Sequence, residues 1–134
     1  MGGAVIEDRV VEEAADVLRR CETIAAAYLL GSAATGRLRS DSDVDIAVLP
    51  VRPGAIGTAA RLALAEALAR VFERPVDLGL LSTANVVYAK EAITTGRKIV
   101  DRDRATSSRF AMLGLSMYAS LQEARREVLR AYAA

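Results

Sequence analysis

GSAATGRLRSDSDVD, residues 31–45, follows the apolar run 24–30 and overlaps the start of a second apolar run, 44–49. Each run has the length and composition of a buried strand, and the Gly-Ser pair directly after the first run predicts a tight turn. Backbone N–H groups at such a turn, together with the hydroxyl of Ser32, can hold a phosphate. The stretch therefore predicts two strands and a phosphate-binding turn between them.

Two aspartates, Asp43 and Asp45, open the second apolar run. Because side chains alternate along a strand, both aspartates should point the same way, while Val44 and Ile46 point to the core. Two converging carboxylates repel each other unless one takes up a proton or a cation lies between them. Hard oxygen ligands favour Mg²⁺ or Mn²⁺. Together with the turn, the aspartates predict a nucleoside triphosphate site.

This pattern resembles the signature of the nucleotidyltransferase superfamily with a polymerase-beta-like catalytic core, which is Gly-Ser, ten residues, then Asp-x-Asp. Gly31, Ser32, Asp43 and Asp45 match it without a gap. The family also carries a third carboxylate on the next core strand, and Asp77 in PVDLGLL has that setting. The resemblance implies an α+β fold, in which a small mixed sheet is flanked by helices.

The same resemblance implies a mechanism. Asp43 and Asp45 would bind Mg²⁺, which bridges to the triphosphate, while Asp77 would share a second Mg²⁺ and accept the proton of an incoming hydroxyl. Mn²⁺ is the alternative metal. The hydroxyl attacks the α-phosphorus, and pyrophosphate leaves, steadied by metal and by the turn at Gly31 and Ser32.

Three more residues of the stretch are candidate nucleotide contacts. Arg37 and Arg39 could neutralise triphosphate charge, although an exposed arginine near a loop is usually only solvated. Ser42, beside the first aspartate, is the third. In a purely structural alternative, the aspartates are turn and cap residues before a strand. It explains Asp41 and Ser42, but an acid inside an apolar strand, at Asp45, is costly to bury unpaired.

The composition excludes several classes of catalytic site. The chain has no histidine and one cysteine, Cys21, so Ser-His-Asp, Cys-His and zinc chemistry lack their residues. A lone cysteine, with no signal peptide or apolar span, favours the cytoplasm. With 134 residues and a formal net charge of +1, we expect one domain, no membrane contact and no direct nucleic-acid partner. Its catalytic core should cover about 24–101.

Periodicity and turn residues predict the remaining elements. The expected helices cover 6–21, a short segment from the Gly-Ser turn through about Arg37, 58–72, a segment capped by Ser82 or Thr83 that runs to about Thr94 and is ended by Gly96, and 104–131. Gly114 is a candidate break in the last of these helices. A short edge strand is expected at 98–100. These elements alternate with the strands around the aspartates, which fits helices packed on one sheet.

Two rival motifs each fail at two positions. GSAATGRL has the glycine spacing of a Walker A loop, but Arg37 replaces its lysine and Leu38 its metal-binding Ser or Thr. The aspartates also mimic the start of an EF-hand loop, but Ile46 fills the glycine position and Arg52 the bidentate glutamate.

The acceptor must come from a second molecule, because only about thirty residues follow the expected core. In size and motifs the chain resembles the minimal nucleotidyltransferase (MNT) antitoxins, which are encoded beside HEPN-domain ribonuclease toxins. That resemblance implies transfer of AMP from ATP to a tyrosine of the toxin, within a hetero-oligomer. Two alternatives stay open: a small-molecule nucleotidyltransferase of aminoglycoside type, and an antitoxin that acts by binding alone.

Overall fold

The structure, a computed structural model, describes residues 4–38 and 41–133. The elements in chain order are β1 (Ala4–Val5), α1 (Asp8–Arg19), β2 (Ile24–Leu30), α2 (Gly31–Ala34), β3 (Arg37–Leu38), β4 (Val44–Pro50), α3 (Thr58–Phe72), β5 (Val76–Leu80), α4 (Val86–Thr95), β6 (Arg97–Asp101) and α5 (Arg104–Ala133). None of the helices in these ranges combines the length and apolar character needed to span a bilayer.

The main sheet has four strands in the order β5-β4-β2-β6, and β1 pairs separately with β3. Strands β4 and β5 are parallel, whereas β2 is antiparallel to both of its neighbours. Helices α1 and α3 cover one face of the sheet, and α4 and α5 cover the other. The predicted α+β fold with a small mixed sheet flanked by helices is confirmed. The expected edge strand corresponds to β6.

The alternation along β4 decides which face each side chain takes. Val44, Ile46 and Val48 are fully buried in the cluster that includes α1 and α3. Ala47 and Leu49 belong to the cluster on the α4 and α5 side. Successive side chains of a strand point to opposite faces, so the residue between Val44 and Ile46 also faces α4 and α5. That residue is an aspartate.

Two local predictions are wrong at helix ends. The short helix α2 ends at Ala34 rather than near Arg37, because Gly36 turns the chain with a φ of +79°. Arg37 then pairs with Val5 in the small sheet. The neighbouring pair of residues, 39 and 40, lies outside the described ranges.

The other error concerns the start of α4. This helix begins at Val86, and its cap is Asn85, whose side chain accepts a hydrogen bond of 3.2 Å from the backbone N–H of Tyr88. Ser82 instead caps the preceding turn through its hydroxyl. Thr83 lies in that turn as well, so neither predicted residue caps the helix. Asn is as good an N-cap as Ser, and sequence alone does not choose between close candidates.

Helix α5 is continuous, and Gly114 does not break it. Gly114 is buried where α5 crosses α4. A Cβ built there would lie 3.2 Å from Cδ1 of Ile93 and 3.8 Å from Cβ of Ala89. The glycine therefore allows close approach of two helices.

We expect Gly114→Leu to lower the free energy of unfolding by about 1–3 kcal/mol, because the added side chain must displace Ile93 or push the helices apart. Gly114→Ala should be close to neutral, since the small strain opposes a gain in helix propensity of about 1 kcal/mol. Urea unfolding followed by circular dichroism measures both. A leucine variant with the midpoint of the unchanged protein would contradict this packing.

Candidate active site

The strand register places two of the predicted acids side by side. Leu30 of β2 is opposite Asp45 of β4, and Asp45 is in turn paired with Asp77 of β5. Adjacent strands lie about 4.8 Å apart, and paired residues point to the same face. Asp45 and Asp77 therefore are neighbours on the α4 side, at the edge of the sheet where β4 and β5 begin. We call this the acidic edge.

The third acid, Asp43, immediately precedes β4 and is exposed. Its charge still reaches the pair. Partial burial raises the pKa of the Asp45 carboxyl, and the negative charges of Asp77 and Asp43 raise it further. The three carboxylates therefore share one region of negative potential, in which a bound cation would be strongly favoured.

A cavity of about 250 Å³ opens beside the paired acids, and its lining residues are Leu30, Gly31, Asp45, Asp77, Tyr88 and Glu91. Gly31 has a φ of +58°, which favours glycine. A Cβ built on it would stand 3.4 Å from Oδ2 of Asp45. Glycine at this position therefore keeps backbone, rather than side chain, against the carboxylate.

Tyr88 and Glu91 were not among the predicted site residues. They lie one turn apart on α4, and both line the cavity. The ring of Tyr88 rests on Gly79, where a Cβ would overlap the phenol hydroxyl. A glycine inside a strand, two residues after Asp77, is a sequence signal of such close approach. The signal does not reveal which residue approaches.

The phenol of Tyr88 is held in its protonated form. Burial raises its pKa first, and the charges of Asp77 and Asp45 raise it further, while the guanidinium of Arg61 lowers it. Arg61 is itself fixed by a hydrogen bond of 2.8 Å from its Nε to the carbonyl oxygen of Leu78. Tyr88 can therefore donate a hydrogen bond to an oxygen bound in the cavity.

The other predicted nucleotide contacts do not line this cavity. Ser32 is exposed in the first turn of α2, and the side chain of Arg37 is exposed on β3. Ser42 contributes its backbone carbonyl, which accepts a hydrogen bond of 3.1 Å from Nη1 of Arg74. Arg39 lies outside the described residues.

The donor set suits a metal ion that arrives with a triphosphate. Within residues 4–38 and 41–133, no three His, Cys, Asp or Glu side chains are grouped closely enough to hold a metal ion unaided. Mg²⁺, however, is usually bound by one or two carboxylates, with water and substrate phosphates completing its shell. The adjacent carboxylates of Asp45 and Asp77 fit that pattern.

Residues 12–105 match the family model described as Polymerase beta, Nucleotidyltransferase. The chain belongs to this nucleotidyltransferase family. The matched segment contains β2, β4 and β5, and with them all three carboxylates. The polymerase-beta-like resemblance is therefore confirmed, and the chain is an enzyme of the nucleotidyltransferase class.

Three relatives of this nucleotidyltransferase stand out. Protein adenylyltransferase MntA of Shewanella oneidensis is 30% identical over 123 residues, which are 92% of this chain and 84% of the relative. A solved toxin-antitoxin with AMP-PNP is 30% identical, with a TM-score of 0.74 over 92% of this chain and 98% of that chain. A tri-AMPylated Shewanella oneidensis HEPN toxin in complex with MNT antitoxin is 28% identical in sequence, with a TM-score of 0.69 over 94% of this chain and 98% of that chain.

We expect Asp45→Asn to stabilise the ligand-free nucleotidyltransferase at neutral pH, by about 1 kcal/mol or less because water screens a partly exposed group. The folded state raises the pKa of this carboxyl, so the ionised form is penalised above that pKa. The penalty disappears as pH falls through the raised value.

Urea unfolding of both proteins at several pH values measures the difference. The advantage of the asparagine variant should shrink as the solution is acidified. An aspartate protein that is more stable than the variant at neutral pH would contradict the repulsion between the acids.

Proposed function

We propose that this chain is an antitoxin of the minimal nucleotidyltransferase group, which transfers AMP from ATP to a tyrosine hydroxyl of a HEPN-domain ribonuclease toxin and so silences it. The observation that carries the proposal is the pairing of Asp45 with Asp77 beside a cavity, within a nucleotidyltransferase of this family. We place the enzyme in the cytoplasm, where ATP and a ribonuclease target are both present.

The relatives support the choice of donor and acceptor. The curated relative is a protein adenylyltransferase, and the solved structures pair MntA with HepT, hold AMP-PNP, or contain an AMPylated HEPN toxin. Coverage of at least nine tenths of this chain means that its whole fold, rather than a fragment, is shared with them. A protein acceptor is therefore favoured over an aminoglycoside.

In this proposal each carboxylate has a role. Asp45 and Asp77, joined by Asp43, would hold Mg²⁺, or Mn²⁺ in its place. Such an ion would neutralise triphosphate charge and make the α-phosphorus more electrophilic. Asp77 receives the proton of the tyrosine hydroxyl as its oxygen bonds to the α-phosphorus. The bond to the β-phosphate oxygen breaks, and pyrophosphate leaves.

The surrounding residues would position the nucleotide. Gly31 leaves its backbone open to the phosphates, and Ser32 adds a hydroxyl on the outer side of the same turn. Tyr88 would donate its phenol proton in a hydrogen bond to a nucleotide or acceptor oxygen. Such positioning supplies much of the catalysis in phosphoryl transfer, because the protein contributes little covalent chemistry.

The test is transfer of label from α-³²P-ATP to the protein encoded beside this chain. Asp43→Asn and Asp45→Asn should each reduce the transfer rate at least about a hundredfold, because the cation loses a charged ligand. Asp41→Asn is the matched control. It removes an exposed acid from the same segment and should transfer at the normal rate.

Mass spectrometry of the co-expressed pair should find AMP on a tyrosine of the neighbouring protein. Undiminished transfer by Asp43→Asn and Asp45→Asn would refute the assigned roles. Neutralisation of the toxin by variants that transfer nothing would show instead that binding alone is the antitoxin action.

A further inference from the structure

Helix α5 is longer than the body of the protein that supports it. Its 30 residues span about 45 Å. The first half is anchored. Ser107 and Gly114 are buried, Phe110 packs on the cluster between the sheet and α4, and the ammonium of Lys90 lies 5.1 Å from the ring centroid of Tyr118. Beyond Tyr118, the helix continues for fifteen residues to its end at Ala133.

The face that is packed in the first half continues as an uncovered apolar face in the second. From Phe110, steps of three or four residues lead along one side of the helix through Gly114 and Tyr118. The same spacing continues to a set of apolar residues that we call the C-terminal stripe: Leu121, Val128, Leu129 and Tyr132. Val128, Leu129 and Tyr132 are 55%, 68% and 88% exposed.

The opposite side of this segment is polar and carries Glu123, Arg126, Glu127 and Arg130. An amphipathic helix normally buries its apolar side. A helix of about fifteen residues is also only marginally stable alone in water. Both arguments indicate that another surface covers the C-terminal stripe when the enzyme works.

The chain enters α5 on the side of the sheet opposite the acidic edge. Strand β6 starts at that edge, where Arg97 pairs with Leu29, and ends away from it, where Asp101 pairs with Ala26. Helix α5 therefore begins at the far edge. Phe110 also lies there, in a cavity formed with the end of β4, and Gly114 lies farther along, over α4. A straight continuation carries the second half away from the far edge.

The positive charge of Arg125 indicates which charge the partner surface should carry. Arg125 lies on the same side as the stripe, and its guanidinium donates a hydrogen bond of 3.2 Å to Oε1 of Gln122, an uncharged group. Helix α5 holds five arginines and two glutamates. If two copies of this chain paired their stripes around Arg125, arginine would face arginine across an apolar contact, which is unfavourable. A partner with a carboxylate among apolar residues is complementary.

We propose that the C-terminal stripe, with Arg125, docks the protein that presents the acceptor hydroxyl, through an apolar surface that carries a carboxylate opposite Arg125. This inference rests on the proposed function, because it takes the acceptor to be a protein. Docking on α5 would hold that protein beside the cavity of Asp45 and Asp77 and raise the effective concentration of its hydroxyl there.

The experiment compares one triple variant with one double variant, both in the full chain. Val128→Ala/Leu129→Ala/Tyr132→Ala removes the exposed end of the stripe, and alanine keeps the helix. Met112→Ala/Leu115→Ala is the matched control, since these exposed apolar residues lie on another side of the same helix. The probe is the protein encoded beside this chain, and its affinity is measured by calorimetry. The stripe variant should bind it at least about tenfold more weakly, and the control should bind normally.

A charge test accompanies the truncation. Arg125→Glu should also weaken binding of the neighbouring protein, while Arg126→Glu, on the polar side, should not. In both sets of variants, ATP binding by the chain alone should be unchanged, which shows that the catalytic end is folded.

The results separate this inference from the proposed function. Normal affinity in the stripe variant, with AMP still transferred, would overturn the docking surface and leave the enzyme assignment intact. Weakened affinity without AMP transfer by the unchanged protein would support the surface and overturn the assignment. Light scattering that shows a dimer of this chain, lost only in the stripe variant while partner binding persists, would also overturn the docking proposal.

Discussion

The parallel pairing of β4 with β5 forces two carboxylates together at one edge of the sheet. Asp45 and Asp77 occupy paired positions, so they cannot separate without a change of register. A slip by one residue would exchange the two faces of β4 and turn Asp45 into the core beneath α1 and α3. Val44 and Ile46 are fully buried, and they oppose such a slip. The hydrophobic core thus holds the Asp45 carboxyl partly buried and close to two other acids, and its pKa is raised first by that burial and then by the charges of Asp77 and Asp43.

Helices α4 and α5 cover most of one face of β4 but leave a cavity open beside Asp45. They cover Ala47 and Leu49 on one face of β4. On the same face a cavity remains beside Asp45, and α4 contributes Tyr88 and Glu91 to its wall. Gly79 permits that approach. Like-charged side chains that repel each other beside an open cavity are typical of a binding site, because a ligand of opposite charge relieves the repulsion. Here the complementary ligand is a cation carried by a triphosphate.

The sequence was sufficient for the parts of the site that follow from strand periodicity. Asp45 was predictable because apolar neighbours bracket it along an alternating strand, whereas Asp77 was predicted from the resemblance to the nucleotidyltransferase family. Tyr88 was not predictable, because its place depends on how α4 crosses β5. The short strand at Arg37 was missed for a similar reason: its partner, Val5, is distant in sequence. Asn85 was passed over because several good capping residues stand together.

The account depends most on the claim that the paired acids bind the nucleotide through a divalent cation. Calorimetric titration of the chain with AMP-PNP, with and without Mg²⁺, tests this directly. We predict binding that requires Mg²⁺ and that is lost in Asp45→Asn/Asp77→Asn. Equal affinity without Mg²⁺, or in that double variant, would contradict it.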